Sequence, residues 1–440
     1  MRRPNVYTWF LLFVIGLYVG GCNKDEAPTA PQTDPQKARE RVNQANQIFI
    51  PKLALLINSG GKDTAAYDMS AAKSLYGEAL TADPDNLDGH FGYAATEVLL
   101  LNKDPEIRSM FGTPLAQIRP VSSALSAHPS AREMLESVIG KPMFSLSSAP
   151  LPLSPQNFYQ DFGKAADSVP FSYYQNIVET RVLPVLVNAI AHLTRITQNP
   201  NYAYYINPQS AGGMLSDSIR IDLTEIYLFL AITQAANAGG SLLVAYNVDY
   251  NSRDQAAVSD AWQTSSPFLA LRSNGAQHMK DTKSNVIGMA TNLQNGITFL
   301  LNETPHPGVD LIRYRPQDVQ GLENALVVLD SVKTVFTTPI ILQGDFNRDG
   351  YPDSVAVSLS SFFDNAISDY KAKLPPYSVE VQQNLDGTYS AVLVWQATSY
   401  SSWIFPDPTF NGFFPGMTDA SFKQTFGVGA QWNQRWVVGR

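Results

Sequence analysis

Apolar positions along most of this chain recur at helical spacing. From Ile177 to Thr197, Val178, Val182, Leu183, Leu186, Ile190, Leu193 and Ile196 fall on one stripe, which predicts a long helix bent at Pro184. A second stripe over Pro316 to Phe336 carries Val319, Leu322, Leu326, Leu329, Val332 and Phe336, and a further helix is expected from Ala276 to Leu301. Asp222-Leu223-Thr224-Glu225 has the spacing of a capping box and opens a helix over Leu223 to Ala238. Gly239-Gly240 then allows a break before Ser241 to Val248. Nearer the start, Ala72, Tyr76, Ala79 and Leu80 share one helix face, Pro84 stops that helix, and Gln36 to Asn58 supplies a preceding helix. Glu106 to Phe171 is proline-punctuated and loop-rich, with a short helical piece at Ala131 to Ile139 and a linker at Lys141 to Pro155. The period changes to two near the C-terminus. Ile340 to Leu342, Ser354 to Val357, Ser378 to Gln383 and Tyr389 to Ala397 alternate like strands, the last two joined by the turn Asn384-Leu385-Asp386-Gly387. The pattern predicts a mainly α fold, a helical bundle with a small C-terminal antiparallel β element.

The helix ending at Pro84 is followed by Asp85-Asn86-Leu87 and then by His90, Phe91, Tyr93 and Ala94. From Ser70 to Leu101 this resembles the second helix of a tetratricopeptide repeat running into the first helix of the next. The resemblance implies tetratricopeptide-like helical hairpins, although Gly60-Gly61 departs from strict repeat length and no clean third copy is present. His90 occupies a position where such repeats place a bulky packing residue, so it reads as structural.

The N-terminus has a different organisation. Arg2 and Arg3 precede an apolar run from Trp9 to Tyr18, which ends in Val19-Gly20-Gly21-Cys22. The segment is shorter than the roughly 20 apolar residues of a membrane span, and no second apolar run of spanning length is expected further on. It resembles the lipobox of bacterial lipoprotein signal peptides. That resemblance implies a diacylglyceryl group on Cys22, which becomes the first mature residue, and a membrane attachment made through lipid alone. Asn23 to Gln36 carries three prolines and reads as a tether, able to reach about 45 Å if fully extended. Asn23 after the cysteine leans, by resemblance to enterobacterial sorting, towards the outer membrane of the cell envelope, with the periplasmic and surface faces both open.

Composition narrows the class further. Charged residues make up 16% of the chain and hydrophobic ones 44%, which suits real cores under a neutral polar surface. Loss of Arg2 and Arg3 with the signal peptide takes the formal charge from −8 to −10. With no Lys/Arg cluster, nucleic acid is excluded as a partner. Cys22 is the sole cysteine, so the body folds without disulfides.

The sharpest chemical motif is Asp345-Phe346-Asn347-Arg348-Asp349-Gly350-Tyr351-Pro352-Asp353. Asp345, Asn347 and Asp349 alternate so that their oxygens point into one tight loop. Gly350 permits the turn, and the Tyr351 carbonyl and Asp353 carboxylate complete a cage suited to Ca2+. An EF-hand is disfavoured by the strand-like flanks and by Ala356 at the twelfth position. Gly344 to Val357 instead resembles the calcium loops of FG-GAP and VCBS-type propeller repeats. That likeness implies structural calcium on Asp345, Asn347, Asp349, Tyr351 and Asp353, the plain alternative being an Asx-rich turn without metal. The motif occurs once, which argues against a propeller.

Beyond it lies an aromatic tail with Trp403, Phe405, Phe410, Phe413, Phe414, Phe422, Phe426, Trp432 and Trp436. Trp403, Phe413, Phe414 and Trp432 are candidates for stacking on sugar rings or docking a partner, while packing onto the helical body is the favoured account. Catalytic motifs are absent: no G-x-S-x-G elbow, no H-E-x-x-H pair, and five histidines without ligand spacing. The expected organisation is a signal peptide (1–21), a tether (22–36), a tetratricopeptide-like region (37–140), a helical body (141–338) and a calcium-loop and hairpin region (339–440). The expected function is a lipid-anchored scaffold that binds a protein partner and is not an enzyme. The alternative is glycan binding in the style of SusD-like nutrient lipoproteins, whose N-terminal patterns are not matched here.

Overall fold

The computed structural model describes residues 33–59, 64–107, 170–207, 218–303, 309–310, 312, 314, 316–347, 350–385, 387–396, 402–427 and 435–438. The signal peptide, Cys22, most of the tether, the piece at 131–139 and the linker at 141–155 lie outside these residues. The fold is mainly α, with a short three-stranded sheet drawn from the middle of the chain and further short strands towards the C-terminus.

Helix α1 (Pro35–Ser59) begins one residue before the Gln36 start that the sequence predicts, and so takes in the last two residues assigned to the tether. The reason is local: Asp34 accepts the Lys37 N–H at 2.9 Å, and Pro35 takes the first helical position, where its missing N–H costs nothing. The Asp34 N–H also donates to the Ala82 carbonyl at 2.8 Å, which ties the helix start to the next helix. Helices α2 (Ser70–Ala82) and α3 (Leu87–Leu100) follow. Ala72, Tyr76 and Ala79 are all buried, as their spacing predicts. The Tyr76 ring lies where a side chain on Gly92 would stand, since a Cβ there would come within 2.1 Å of it. Glycine at that position therefore lets α2 and α3 close on each other. Asn86 caps α3 by accepting the Gly89 N–H at 2.8 Å.

The next helix, α4 (Phe171–Ile196), packs against α3. Ahead of Pro184 the helix carries a π-turn over Val178–Val182. Proline lacks an N–H and its ring collides with the carbonyl four residues back. The ladder widens just before it, and the Leu183 N–H bonds to Val178 O, five residues away. A three-stranded sheet was not foreseen. Its strands β1 (Ala203–Ile206), β2 (Ile219–Asp222) and β3 (Val309–Asp310) are too short to show a period, and β2 pairs antiparallel to β1 and parallel to β3.

Helix α5 (Leu223–Ala245) corrects another expectation, because it runs unbroken through Gly239-Gly240. A Cβ on Gly240 would meet Leu183 Cδ2 at 2.8 Å. The glycine marks the close approach of α5 to α4, not a helix break. After α6 (Gln255–Ala261), the long α7 (Gly275–Asn302) lies along α5, and α8 (Val319–Thr337) lies on α7. By length and hydropathy α4 and α5 both reach the range of a membrane span, contrary to the expectation that no such run exists. Each is packed in the helical body, and α5 buries Glu225, Thr233, Asn237 and Ser241 among its apolar residues.

The chain leaves α8 into the hairpin β4 (Ile340–Gly344) and β5 (Asp353–Val357), whose antiparallel register pairs Gly344 with Asp353. Helix α9 (Leu359–Asp364) follows, then β6 (Tyr377–Gln383) and β7 (Tyr389–Trp395), with Gly387 at φ +82° in their turn. After α10 (Asp419–Gly427), strand β8 (Arg435–Val438) adds to the free side of β7. Ala391, Leu393, Trp395 and Trp403 form a core with Val258 of α6 and with Trp262, the residue that follows it.

Candidate functional site

The β4–β5 register sets Asp345 and Asp353 at the base of the acidic loop. Gly350 adopts φ +89°, the left-handed conformation that the turn requires. Asp345 Oδ2 accepts the Gly350 N–H at 3.0 Å, and Asp353 Oδ2 accepts the N–H groups of Phe346 at 3.1 Å and Asn347 at 3.4 Å. Both carboxylates thus face the loop backbone and draw it into a ring. Asn347 is 2% exposed and donates through Nδ2 to the Gln424 carbonyl of α10 at 3.1 Å. This leaves Oδ1 as the atom of that side chain with acceptor chemistry. Tyr351 projects outward, and the role expected of it needs only its carbonyl. Asp349 lies outside the described residues. Among the described residues no group of three or more His, Cys, Asp or Glu side chains gathers into a metal cage. The oxygen-only donor set and the inward carboxylates fit a hard cation such as Ca2+.

The aromatic candidates are placed differently from one another. Trp403 is 3% exposed, with its ring 4.9 Å from that of Trp395, so it serves the core. Phe413 and Phe414 are half-buried, 4.6 Å apart, and reach Phe362 at 5.5 Å and Phe426 at 5.8 Å respectively. Trp432 lies outside the described residues. Phe410 (φ 47°) and Asn411 (φ 58°) adopt left-handed backbone ahead of Gly412 (φ 87°), a conformation unfavourable for phenylalanine. Asp407 holds the turn by accepting the N–H groups of Thr409 at 3.1 Å and Asn411 at 2.8 Å, and it pairs with Lys373 at 2.7 Å.

Two clusters escaped the reading of the sequence. His90 and His192, far apart in the chain, face each other with Nδ1 atoms 2.7 Å apart, and His90 Nε2 lies 2.9 Å from the Pro84 carbonyl. Beside them Glu97 bridges Lys73 (2.8 Å) and Asn188 (2.7 Å). The signal in the sequence is a polar row at His90, Tyr93 and Glu97 on one helix, matched by Asn188 and His192 on another. Reading each histidine alone hides it. The second cluster sits on the π-turn, where Glu179 accepts from Arg272 (2.9 Å), Asn274 (3.2 Å) and His278 (3.2 Å). Burial opposes the charge on Glu179, but these donors outweigh it and hold the carboxyl below its usual range.

Asp222 and Glu225 form the expected capping box at the start of α5. Asp222 accepts the Thr224 N–H at 2.8 Å, and Glu225 accepts the N–H groups of Asp222 and Ile312, each at 2.9 Å. Burial, with the Asp222 carboxylate adjoining, pushes the Glu225 carboxyl well above the usual range. Arg220 balances the pair by bridging Asp222 and Glu303. No family model, curated protein or solved structure matches the chain.

Proposed function

We propose that this chain is an extracytoplasmic bacterial lipoprotein, held to the membrane through lipid on Cys22, whose helical body is a scaffold for a protein partner. The observation that carries the scaffold is the order of packing: α1, α2, α3, α4 and α5 each lie against the next, and α5 continues through α7 to α8. Such an array presents extended faces on which a partner can lie. Val187, Leu242 and Val327, on three of these helices, are exposed aliphatics that a partner would cover. The anchor rests on Arg2, Arg3 and the run Val19-Gly20-Gly21-Cys22. Calcium in the Asp345–Asp353 loop has a structural part in this reading: it fastens the β4–β5 hairpin to α10 without disulfides.

The glycan-binding alternative has Trp403 inside the core, which removes that ring from any sugar-stacking surface. Labelling cells with an alkyne fatty acid tests the anchor, since label on the intact chain must vanish in Cys22→Ser. The scaffold is tested by purification from solubilised membranes. A stoichiometric protein should co-purify and be lost on Val187→Asp or Leu242→Asp. A chain that elutes alone in both forms, while binding a glycan, would favour the alternative.

A further inference from the structure

Helices α3 and α4 pack side by side although residues 101–170 separate them in sequence, so side chains must hold the joint. Its polar row runs from Asp85–Arg195 through His90–His192 to Glu97, which binds both Asn188 and Lys73. The histidine pair is the unusual member. Pro84 O can only accept a hydrogen bond, so His90 Nε2 carries a hydrogen. The 2.7 Å between the two Nδ1 atoms has room for one hydrogen. In the neutral pair that hydrogen belongs to His192 and points at the lone pair of His90. A first added proton is tolerated, because His90 then donates and His192 becomes the Nε2–H tautomer. A second is not tolerated, because both Nδ1 atoms would carry hydrogen and two cations would face each other at hydrogen-bond distance.

We infer that His90 and His192 form an acid-sensitive clasp that fastens α4 to α3 at neutral pH and releases it in mildly acid conditions. The surrounding charges come from every element at the joint. Lys73 of α2 sits 5.0 Å over the Tyr93 ring, Asp83 and Asp85 lie in the α2–α3 turn, Glu97 is on α3, and Arg195 is on α4. Lys73 and Arg195 oppose protonation, whereas the three carboxylates favour it. Burial is the strongest influence on both rings and, with those two cations on its side, leaves both imidazoles below the ordinary histidine range. An unfolded histidine takes up its proton near pH ~6.5, so on acidification the open chain binds more protons than the clasped one. The stability contributed by the clasp is therefore complete above that pH and lost below it.

Hydrogen exchange on the full chain in detergent, at about pH 7.5 and about pH 5 and corrected for intrinsic rates, reads the clasp directly. Amides of 87–100 and 183–196 should lose protection about tenfold more than those of α7, and His90→Asn/His192→Gln should abolish the difference. Protection unchanged in the natural chain, or lost equally in the double variant, overturns the inference. Ring-labelled histidine in the natural chain gives a second reading that does not depend on a variant folding. Assigned His90 and His192 signals that titrate like free histidine would overturn it equally.

Discussion

Adjacent glycines in α5 allow the close approach of α5 to α4 to be tested with helix propensity cancelled. Alanine in place of glycine within a helix gains up to about 1 kcal/mol. At Gly239 a Cβ meets nothing within 4 Å, so Gly239→Ala should realise that gain in full. One residue on, a Cβ at Gly240 meets Leu183 Cδ2 at 2.8 Å and Val178 Cγ1 at 3.4 Å. Both partners are buried, and Leu183 stands between the π-turn and Pro184, where the backbone has little freedom to withdraw. Overpacking of this kind costs about 1–3 kcal/mol. Gly240→Ala should therefore be less stable than Gly239→Ala by about 1–3 kcal/mol, with the absolute change running from neutral to destabilising. Equilibrium denaturant unfolding followed by far-ultraviolet circular dichroism measures the difference, provided the two variants share one slope. Equal stabilisation at both positions would mean that α5 does not touch α4 there. Destabilisation at both would mean that the glycines serve a break in the helix.

Other predictions concern the C-terminal region. Tm should be higher in millimolar calcium than in excess chelator, and Asp345→Ala or Asp353→Ala should remove the difference; at a hundredfold excess over Kd the gain is about 2.7 kcal/mol. A Tm indifferent to calcium would end the metal reading. Burial alone would raise Asp407, but Lys373, Thr409 and Asn411 outweigh it and hold the carboxyl below the usual range. Because its folded value is depressed, its contribution is present at neutral pH and is lost as pH falls through the carboxylate range. Asp407→Asn should cost about 1–2 kcal/mol near neutrality and flatten the acid limb of the stability profile, measured by urea unfolding across pH. An unaltered acid limb would count against that role. Trp403→Ala should destabilise the C-terminal core by about 3–5 kcal/mol and weaken the near-ultraviolet dichroism. A well-folded variant that loses only glycan binding would reverse that assignment.

Helices were legible in this sequence wherever apolar spacing persisted over several turns, as in α4, α7 and α8. The capping box at Asp222 and the turn glycine at Gly387 were legible too, because each has a local chemical signature. Local punctuation misled at Gly239-Gly240: two glycines read as a break until the Leu183 side chain on another helix explains why one of them has no Cβ. The start of α1 was read to within one residue, Gln36 against the observed Pro35, with Asp34 supplying the cap. Strands β1 to β3 were invisible because two to four residues cannot establish a period, and their pairing depends on chain folded between them. The strands that flank the acidic loop could be read because the turn residues between them are contiguous. The His90–His192 contact could not, since its two halves are joined only by the packing of α3 on α4.

The pairing of β4 with β5 couples two properties that otherwise look unrelated. Successive strand residues point to opposite faces, and β5 buries Val355 and Val357 while Asp353, two residues before Val355, turns its carboxylate onto the loop amides. A slip of one residue would expose both valines and swing Asp353 away from Phe346 and Asn347 in the same movement. Burial of two aliphatic side chains therefore acts as the aiming device for a carboxylate. A substitution such as Val355→Thr, which touches no oxygen donor, should loosen the loop as surely as a change to the acid itself.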